Sequence, residues 1–466
     1  MSAGGGGGPR PIHMVGIGGA GMSGLARLAQ AAGYRVAGTD RDESPTLAAL
    51  RAAGIDARAG HAAAAVAGDA AALVVSTAIA ADNPELAEAR RRGLPVLHRS
   101  QLLAELMGGR RGLAVAGAHG KSTTSAMLLT ALGDASACVG ATIEGGAGTG
   151  AVWGAGPWFV AEADESDRSL LNLAPEAAVL LNVDHDHHAT YASIDEVREV
   201  FRAFVARLPA AGVLVVGPDA DARRSAAAAP CEVREVGDHP GAWCRVERAA
   251  GRAGFTLAVA DGRRVDVPLA QAGRHNAENA ACALALADWC GVPLEAAAAR
   301  LGGFAGIGRR MERRGRAAGV EVLDDYAHHP AEIRATLAAA RERAPARVVV
   351  VFQPHLPSRT RALGPELGEA LGAADVVVVT DVYLAREAAD PDASGRVVAE
   401  RVPATAEVVY APGLAEAADA VMARVRPGDL VLTMGAGDVT SLGQELVGRL
   451  ERTSSHGGPD ERTAPA

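Results

Sequence analysis

The chain has 466 residues, of which 49% are hydrophobic and 22% charged, and its formal net charge is -9. This length exceeds one ordinary hydrophobic core and predicts about three domains of a globular protein. The negative charge argues against a general nucleic-acid binder or a membrane-surface binder, because either would need a basic face.

The N-terminal residues and the cysteines bear on where the protein works. Residues 1–11 lack the apolar core of a signal peptide, and we expect a flexible leader there. No apolar run is long enough for a transmembrane helix, so stable membrane insertion is not expected. The five cysteines are scattered without C-x-x-C spacing, which indicates neither a disulfide framework nor a zinc site. A reducing cytoplasm fits these features.

The chain starts with a predicted strand over residues 11–17, a glycine-rich turn (GIGGAG) and a helix to about residue 32. The next predicted strand ends in Asp40, nineteen positions beyond Gly21. This spacing is the dinucleotide-binding fingerprint, in which the glycines admit a pyrophosphate and the acid meets a ribose hydroxyl. NAD, FAD and a UDP-sugar are all compatible with it, and a purely structural tight turn is the alternative.

Two further strands are predicted over residues 72–76 and 93–97, with a helix opening at Asn83 between them. Ser76 ends the first of these strands. Polar residues at the carboxyl ends of strands are where doubly wound sheets bind ligands. We expect this first α/β domain to span residues 12–111.

The second domain is predicted to open with LAVAGAHGKSTT at residues 113–124, as a strand, a phosphate loop and a helix. Glycines let backbone N–H groups surround phosphate oxygens, Lys121 reaches the β and γ phosphates, and the Ser122 hydroxyl suits Mg²⁺. Val115 stands where the full G-x-x-x-x-G-K-S pattern has glycine, so the loop is a shortened G-x-x-G-K-S. The alternative is a glycine-rich turn with a solvated lysine.

Acidic residues and histidines follow the next two predicted strands. WFVAEADESD ends an apolar strand with four acids, as in folds that hold the metal of Mg-ATP: Glu162, Asp164, Glu165 and Asp167. A solvated acidic loop is the alternative. The following strand runs into DHDHH at residues 184–188, which either forms a transition-metal site or supplies one imidazole to Mg²⁺.

The rest of the second domain carries two polar candidates. Residues 231–269 alternate in the β manner and predict an antiparallel hairpin appended to the sheet. A long helix follows with Asn276 and Asn279 on one face; a helix cap is the alternative for one of them, and Asn279 is the candidate for a nucleobase contact. Arg310, in the basic segment FAGIGRRM where this domain ends, is a candidate for binding a phosphate.

Alternation of strands and helices continues as a third α/β unit. A predicted strand over residues 320–323 precedes DDYAHHP, in which Pro330 starts a helix. A strand is predicted over residues 347–352, directly before QPHLPSRTR. Two later strands are predicted over residues 375–380 and 429–433. The tail from residue 452 is rich in Ser, Gly, Pro and charge and is predicted to be disordered.

The order of these motifs resembles the Mur ligase family of peptidoglycan synthesis. The resemblance spans roughly residues 12–450, and DDYAHHPAEI and FQPH..SRT are far more specific than either glycine loop. It implies an α/β fold of three domains: an N-terminal Rossmann-like UDP-sugar domain, a central P-loop-type ATPase domain with a mostly parallel sheet, and a C-terminal Rossmann-like amino-acid domain. With leader and tail, the expected boundaries are 1–11, 12–111, 112–313, 314–451 and 452–466.

The resemblance implies an ATP-dependent carboxylate–amine ligase with Mg²⁺ as cofactor. Such an enzyme joins L-alanine to the lactyl carboxylate of UDP-N-acetylmuramate through an acyl phosphate, the first stem-peptide step. A related recycling branch joins a tripeptide to the same sugar nucleotide and is the nearest alternative. An oxidoreductase would leave Lys121 and the histidine motif unexplained, and a regulatory ATPase would hydrolyse ATP without the sugar nucleotide. We expect small-molecule partners, no nucleic acid, and a monomer or weak homodimer.

The resemblance also implies roles for individual residues. The ATP site comprises Gly117, Ala118, His119, Gly120, Lys121, Ser122, Thr123, Asn279, Arg310 and Asp325. The UDP-sugar site comprises Gly18, Gly19, Ala20, Gly21, Asp40 and Ser76. The metal ligands are Ser122, Glu162 and His187, with Glu165 as a second choice. The L-alanine site is lined by Tyr326, His328 and Arg359, of which the last pairs with the alanine carboxylate. The catalytic set is Lys121, Glu162, His187 and His328.

Three departures from the family pattern are visible. Ala189 replaces an acid that relatives often carry after the Asp-His pair at 186–187. Leu356 and Pro357 stand at positions that are often basic and aromatic, so a second carboxylate-binding arginine is missing. Residues 190–204 hold no lysine, so a carbamylated-lysine metal bridge is not expected.

Overall fold

The computed structural model describes residues 10–145, 149–188, 190–248, 253–385 and 387–456. Backbone proximity divides the chain into two compact units. The first comprises Met1–His185, Ser193–Ala270 and Asn276–Ile307, and the second comprises Asp186–Ala192, Gln271–His275 and Gly308–Ala466.

The first unit begins with a five-stranded parallel sheet in the order β3-β2-β1-β4-β5, which is a Rossmann-type order. Its strands are β1 (Pro11–Val15), β2 (Arg35–Asp40), β3 (Asp56–Ala59), β4 (Ala72–Val75) and β5 (Val96–His98). Its helices are α1 (Ala20–Ala31), α2 (Pro45–Ala52), α3 (Pro84–Arg91) and α4 (Arg99–Met107), with a 3-10 turn at Ala63–Ala65.

The start of this sheet differs slightly from its prediction. β1 stops at Val15 because Gly16 turns the chain with a φ of +74°, and the N–H groups of Gly16 and Ile17 both donate to the Thr39 carbonyl. Pro11, which we assigned to the leader, already lies in β1. Residues 1–9 of the predicted leader lie outside the described residues.

The central sheet has seven strands in the order β12-β11-β10-β6-β9-β7-β8, and every neighbouring pair except β7 and β8 is parallel. Its strands are β6 (Arg111–Ala116), β7 (Ser136–Cys138), β8 (Ala151–Val152), β9 (Trp158–Glu162), β10 (Ala177–Leu180), β11 (Val213–Val216) and β12 (Glu232–Glu235). The helices are α5 (Lys121–Leu132), α6 (Ile194–Val205) and α7 (Ala220–Ala226), with a 3-10 turn at Ser169–Asn172. β6 lies near the middle of the sheet, which explains its continuous apolar sequence.

The antiparallel pairing that we predicted within residues 231–269 is confirmed for residues 244–267, but the predicted attachment to the central sheet is wrong, because these strands form a sheet of their own. β12, at the start of the predicted range, instead pairs in parallel with β11 and extends the central sheet. A separate antiparallel sheet of three strands follows: β13 (Cys244–Glu247), β14 (Phe255–Val259) and β15 (Arg264–Val267). Two helices come next, α8 (Arg274–Trp289) and α9 (Leu294–Leu301).

The second unit contains a six-stranded sheet in the order β16-β17-β21-β18-β19-β20, in which only the pair of β16 and β17 is antiparallel. Its strands are β16 (Glu312–Ala317), β17 (Val320–Asp325), β18 (Val348–Phe352), β19 (Val376–Val379), β20 (Glu407–Tyr410) and β21 (Leu430–Met434). Its helices are α10 (Pro330–Glu342), α11 (Pro357–Leu371), α12 (Gly395–Ala399), α13 (Leu414–Met422) and α14 (Thr440–His456). Apolar clusters fill both faces of this sheet, as a doubly wound arrangement requires.

The predicted α/β class with mostly parallel sheets is confirmed. The predicted disorder from residue 452 is wrong for its first residues, because α14 continues to His456 and the Thr453 hydroxyl donates to the Leu450 carbonyl at 2.7 Å. Residues 457–466 lie outside the described residues. Among the helices of the described ranges, none combines the length and the apolar character needed to cross a membrane.

Candidate active site

The phosphate loop joins β6 to α5 in a conformation that glycine makes accessible. Gly117 and Gly120 have φ of +139° and +82°, a region that residues with a Cβ rarely adopt. A Cβ on Gly120 would lie 2.9 Å from the Asn279 side-chain oxygen. Asn279, which we predicted at a nucleobase, is buried and packs against the loop itself.

Asn182, which the sequence analysis did not single out, fixes the loop from the neighbouring strand. It follows β10, accepts from the His119 N–H at 2.8 Å and donates its amide to the His119 carbonyl at 3.0 Å. Its own carbonyl accepts from the Ala118 N–H at 3.2 Å. The one sequence signal was its position, an amide side chain directly after a buried apolar strand.

Lys121 is the only lysine in the chain, and it lies folded across the loop. Its ammonium donates to the carbonyls of Gly117 and Ala118 at 2.7 and 3.0 Å and to Glu165 at 2.9 Å. Burial lowers the pKa of Lys121, but the nearby carboxylates, led by Glu165, outweigh burial and the net shift of the pKa is upward. The lysine is therefore a mostly buried, charged donor held by two loop carbonyls and Glu165.

Glu162 ends β9, the strand beside β6. It accepts from the Ser122 hydroxyl at 3.0 Å to both carboxylate oxygens and from the Gly140 N–H at 2.7 Å. Burial raises the pKa of Glu162, although Lys121 opposes that shift. A hydroxyl and a carboxylate are the hard oxygen ligands that Mg²⁺ prefers, so these two residues fit the predicted metal. Glu165, the second choice for the metal, lies on Lys121 instead.

A cavity of about 100 Å³ lies beside Glu162. Its lining comes from α1, α4 and the ends of β7 and β9, and includes Gly21, Gly24, Arg99, Cys138, Glu162 and Asp164. Arg99 donates to Asp164 at 2.6 Å. Burial raises the pKa of Asp164, but Lys121 and Arg99 outweigh it, so the carboxylate stays ionised. Burial also raises the pKa of the Cys138 thiol to about 12, which leaves it un-ionised.

The predicted UDP-sugar residues meet at the first glycine-rich turn. Asp40 accepts from the Gly18 N–H at 2.8 Å, and a Cβ on Gly18 would lie 2.9 Å from the same carboxylate oxygen. The Gly19 N–H closes the turn onto the Gly16 carbonyl at 3.1 Å. Ala20 and Gly21 begin α1, and Ser76 follows β4, the strand next to β1. The structure thus brings these predicted residues to the carboxyl edge of one sheet.

A buried carboxylate near this turn has a structural role that we did not predict. Glu85 accepts from the Thr39 hydroxyl at 2.7 and 2.8 Å and from the Ala62 N–H at 3.1 Å, and it contacts His13 at 2.7 Å. Burial raises the pKa of Glu85, but these hydrogen bonds outweigh it. The network ties the start of α3 to β1 and β2.

Arg310 and Asp325, both assigned to ATP from the sequence, lie in the second unit. Arg310 donates to Glu332 at 3.2 Å and stacks over the Tyr326 ring at 5.5 Å. Asp325 accepts from the N–H groups of Met311 and Ala327 at 2.8 and 2.9 Å. Asp325 therefore already holds the backbone just before β16 and just after β17.

The three predicted L-alanine residues come together in the second unit. The rings of Tyr326 and His328 are 5.2 Å apart, and His355 lies 6.1 Å from His328. Burial lowers the pKa of His328 to about 3, so its imidazole is neutral near pH 7. Arg359 is buried, lies 3.1 Å from His355, and makes a two-pronged ion pair with Asp186. That pairing was not predicted.

His187, the third predicted metal ligand, also belongs to the second unit. It has a φ of +55°, in the left-handed region, and its N–H donates to the Asp186 carboxylate at 2.6 Å. Ala189, the first departure from the family pattern, lies outside the described residues. The second departure has a structural account, because Leu356 caps α11 at a φ of 68° and Pro357 occupies its first turn.

Comparison with known families matches three models along the chain. Residues 11–111 match "Mur ligase family, catalytic domain", residues 158–287 match "Mur ligase middle domain", and residues 309–437 match "Mur ligase, glutamate ligase domain". These matches follow the order of the three main sheets.

Comparison with individual proteins gives similar results. The chain is 49% identical to the UDP-N-acetylmuramate–L-alanine ligase of Kineococcus radiotolerans, over 94% of this chain and 96% of that protein. It is 46% identical to the ligase of the same name from Streptomyces avermitilis, over 94% of this chain and 97% of that protein. Its fold is similar to the crystal structure of the UDP-N-acetylmuramate-alanine ligase MurC from Thermotoga maritima, with a TM-score of 0.79, 27% identity, and coverage of 96% and 99% of the two chains.

Proposed function

The chain belongs to the Mur ligase family, and from this premise we propose that it joins L-alanine to the lactyl carboxylate of UDP-N-acetylmuramate with the hydrolysis of ATP to ADP and phosphate. The two curated relatives named above carry the name of that ligase and match almost the whole chain. Within the structure, one observation carries the chemistry: Lys121, Ser122 and Glu162 surround a single loop at the carboxyl edge of the central sheet.

ATP is assigned to the loop at residues 117–123. The Lys121 ammonium rests on two carbonyls and Glu165, and phosphate oxygens offer it more negative charge than those carbonyls do. The free N–H groups at the start of α5 add the positive end of the helix dipole. We therefore expect Lys121 to move from the loop carbonyls to the β and γ phosphates when the nucleotide binds.

Mg²⁺ is assigned to Ser122 and Glu162, because their oxygens lie 3.0 Å apart and belong to the ligand class that the ion prefers. When bound, the ion would offset the charge of the phosphates and orient the γ-phosphoryl group. His187 stays a proposed ligand from the family resemblance.

The acid substrate is assigned to the cavity between α1 and Glu162. The glycine-rich turn at the start of α1 suits the diphosphate of the UDP-sugar, and the cavity continues from Gly21 to Glu162. A lactyl carboxylate placed there would attack the γ-phosphorus, the bond from that phosphorus to the β,γ-bridging oxygen would break, and ADP would leave. Charge grows on the transferring phosphoryl oxygens, where Lys121 stabilises it.

The second step forms the amide. The neutral amine of L-alanine attacks the carbonyl carbon of the acyl phosphate, and the tetrahedral intermediate expels phosphate, which takes up the proton that the amine nitrogen loses. His328 has its Nδ1 2.9 Å from the Tyr326 carbonyl, which places the ring hydrogen on Nδ1 and leaves Nε2 as an acceptor. A neutral imidazole in that tautomer can accept a hydrogen bond from the incoming amine.

The proposal is tested by ADP release from the purified protein with Mg-ATP and UDP-N-acetylmuramate. We expect release that depends on L-alanine and not on the L-Ala-D-Glu-diamino acid tripeptide. Release that depends on the tripeptide would place the protein in the recycling branch, and release without any acceptor would indicate a regulatory ATPase. Because ATP and UDP-N-acetylmuramate are nucleotides of the cell interior, we propose that the enzyme works in the cytoplasm. We also propose that it is a monomer or a weak homodimer.

A further inference from the structure

The ion pair between Asp186 and Arg359 has no role in the steps above, and its geometry is close. The Nε of Arg359 lies 3.0 Å from one oxygen of Asp186, and its Nη2 lies 2.8 and 3.1 Å from the two oxygens. The two side chains are 6% and 5% exposed. The pairing joins residues 173 positions apart in the chain, so it is a tertiary feature of the second unit.

This geometry constrains how Arg359 binds a substrate. Of the two guanidinium edges that can receive a carboxylate in two-pronged fashion, the one with Nη1 lies beside His355, whose Nδ1 is 3.1 Å from Nη1, and the Nε–Nη2 edge is the one that Asp186 occupies. A substrate carboxylate can use that edge only if the Asp186 carboxylate leaves it. Separating a buried pair is unfavourable when either charge is left without a partner.

A substrate that carries both a positive and a negative charge avoids the cost of separating the buried pair. Free L-alanine carries a carboxylate and an ammonium, so it brings one partner for each member of the pair. A molecule with only one of the two charges would leave either Asp186 or Arg359 buried and unmatched. The neighbouring His328 is neutral near pH 7, and Glu332 is engaged by Arg310 at 3.2 Å.

We propose that Asp186 is a specificity-determining residue for the amino-acid substrate. On this view, which rests on the proposed function, the pair opens onto L-alanine: Arg359 takes the carboxylate and Asp186 takes the α-ammonium. Asp186 thus keeps the arginine occupied until a zwitterion arrives. The ammonium gives its proton to solvent water afterwards, before the amine attacks.

The backbone next to Asp186 favours such a movement. His187 holds a φ of +55°, a strained conformation for a residue with a Cβ, and its N–H donates to the Asp186 carboxylate at 2.6 Å. Strain of this kind persists only while the surrounding contacts hold it. Release of Asp186 from Arg359 would let this short segment relax.

The test compares three small molecules in the ADP-release assay: L-alanine as substrate, and propionate and L-alaninamide as competitive inhibitors. Propionate has the carboxylate without the ammonium, and L-alaninamide has the ammonium without the carboxylate. In the unaltered enzyme, we expect the inhibition constants of both to exceed the KM of L-alanine by at least roughly tenfold, because each leaves one buried charge unmatched.

In Asp186→Asn, we expect the KM of L-alanine to rise by roughly 100-fold while the inhibition constant of propionate falls. The arginine would then have no counter-ion and would accept a simple anion. The KM values of ATP and UDP-N-acetylmuramate should not change. Asp390→Asn is the matched control. Asp390 pairs with Arg361, which lies on the same helix as Arg359, and this substitution should leave all of these constants unchanged.

Two results would overturn the proposal. Equal changes for L-alanine and propionate would mean that Asp186 only supports the structure. A lower KM for L-alanine in Asp186→Asn would mean that Asp186 competes with the substrate and does not bind it. If Asp186→Asn does not fold, as judged by its melting temperature, the comparison of the three molecules in the unaltered enzyme still decides. Activity of the unaltered enzyme with L-alanine separates a failure of this inference from a failure of the proposed function.

Discussion

The first unit contains two glycine-rich turns that share a plan and differ in the charge that completes them. Each follows a buried parallel strand and leads into a helix, β1 to α1 in one case and β6 to α5 in the other. At the first turn the charged group is a carboxylate: Asp40, at the end of the next strand, accepts a hydrogen bond from the Gly18 N–H. At the second turn the charged group is an ammonium: Lys121, at the start of the following helix, donates to two loop carbonyls.

This difference indicates which ligand each turn can hold. A carboxylate beside the first turn repels dense negative charge, so a diphosphate whose ribose hydroxyl meets Asp40 suits it better than a triphosphate does. A buried ammonium and a hydroxyl–carboxylate pair beside the second turn suit a triphosphate with its metal. We therefore propose that one backbone plan serves two nucleotides because different side chains surround it.

We expect the largest effect from removing the positive charge of Lys121 at the second turn. In Lys121→Ala, we expect kcat for ADP release to fall by about 1,000-fold, because the charge on the transferring phosphoryl group loses its buried donor. Lys121→Arg keeps the charge and should recover part of the rate. Substantial activity in Lys121→Ala, with an unchanged melting temperature, would remove the lysine from its assigned role.

Removing the metal carboxylate should have the next largest effect. In Glu162→Gln, we expect a roughly 100-fold loss of activity and a higher Mg²⁺ concentration for half-maximal rate, because a neutral amide binds the ion more weakly than a carboxylate does. The measurement is a Mg²⁺ titration of the initial rate. Glu176→Gln is the matched control, since Glu176 pairs with Arg111 in a more exposed position. An unchanged Mg²⁺ requirement would refute the assignment.

The glycines of the two turns should differ in their tolerance of alanine. Gly120→Ala forces a Cβ into a φ of +82° and to within 2.9 Å of Asn279, and we expect ATP binding to weaken by roughly 30-fold. Gly18 has no positive φ, and the Cβ of Gly18→Ala would meet the end of the Asp40 side chain, which can move. We therefore expect this substitution to weaken substrate binding only a few-fold. Calorimetric titration with a non-hydrolysable ATP analogue measures the first effect. Equal tolerance at both positions would contradict the comparison.

A smaller effect, expected at Asp40, sharpens the assignment of the first turn. In Asp40→Asn, we expect the KM of UDP-N-acetylmuramate to rise by about tenfold while the KM of ATP stays constant, because a charged hydrogen bond to the ribose is lost. Asp42→Asn is the control, since Asp42 is exposed and pairs with Arg41. A rise in the KM of ATP instead would mean that the two nucleotides have been assigned to the wrong turns.

Local signals account for what could be predicted. The strand, loop and helix at residues 113–132 were predictable because an apolar run, paired glycines and a helix-forming run follow one another. β16 (Glu312–Ala317) was missed because its sequence ERRGRA is highly charged, as an edge strand allows. β20 (Glu407–Tyr410) was missed because it is short and also lies at an edge.

Non-local contacts account for what could not be predicted. The family resemblance implied that Arg359 binds a carboxylate, but not that Asp186, far away in the chain, would occupy it. Likewise Glu85 looked like an ordinary residue of a helix start, and only the folded sheet brings His13 and Thr39 to it. Pairings of this kind depend on how the strands are ordered, and residue spacing does not reveal that order.

The most direct test of the two-turn account uses the single lysine of the chain. An amine-specific reagent such as pyridoxal phosphate, fixed with borohydride, can label only Lys121 and the N-terminal amine, and peptide mapping separates the two. The account predicts that Mg-ATP protects Lys121 from labelling and that UDP-N-acetylmuramate alone does not. Protection by the sugar nucleotide alone, with none by Mg-ATP, would contradict it.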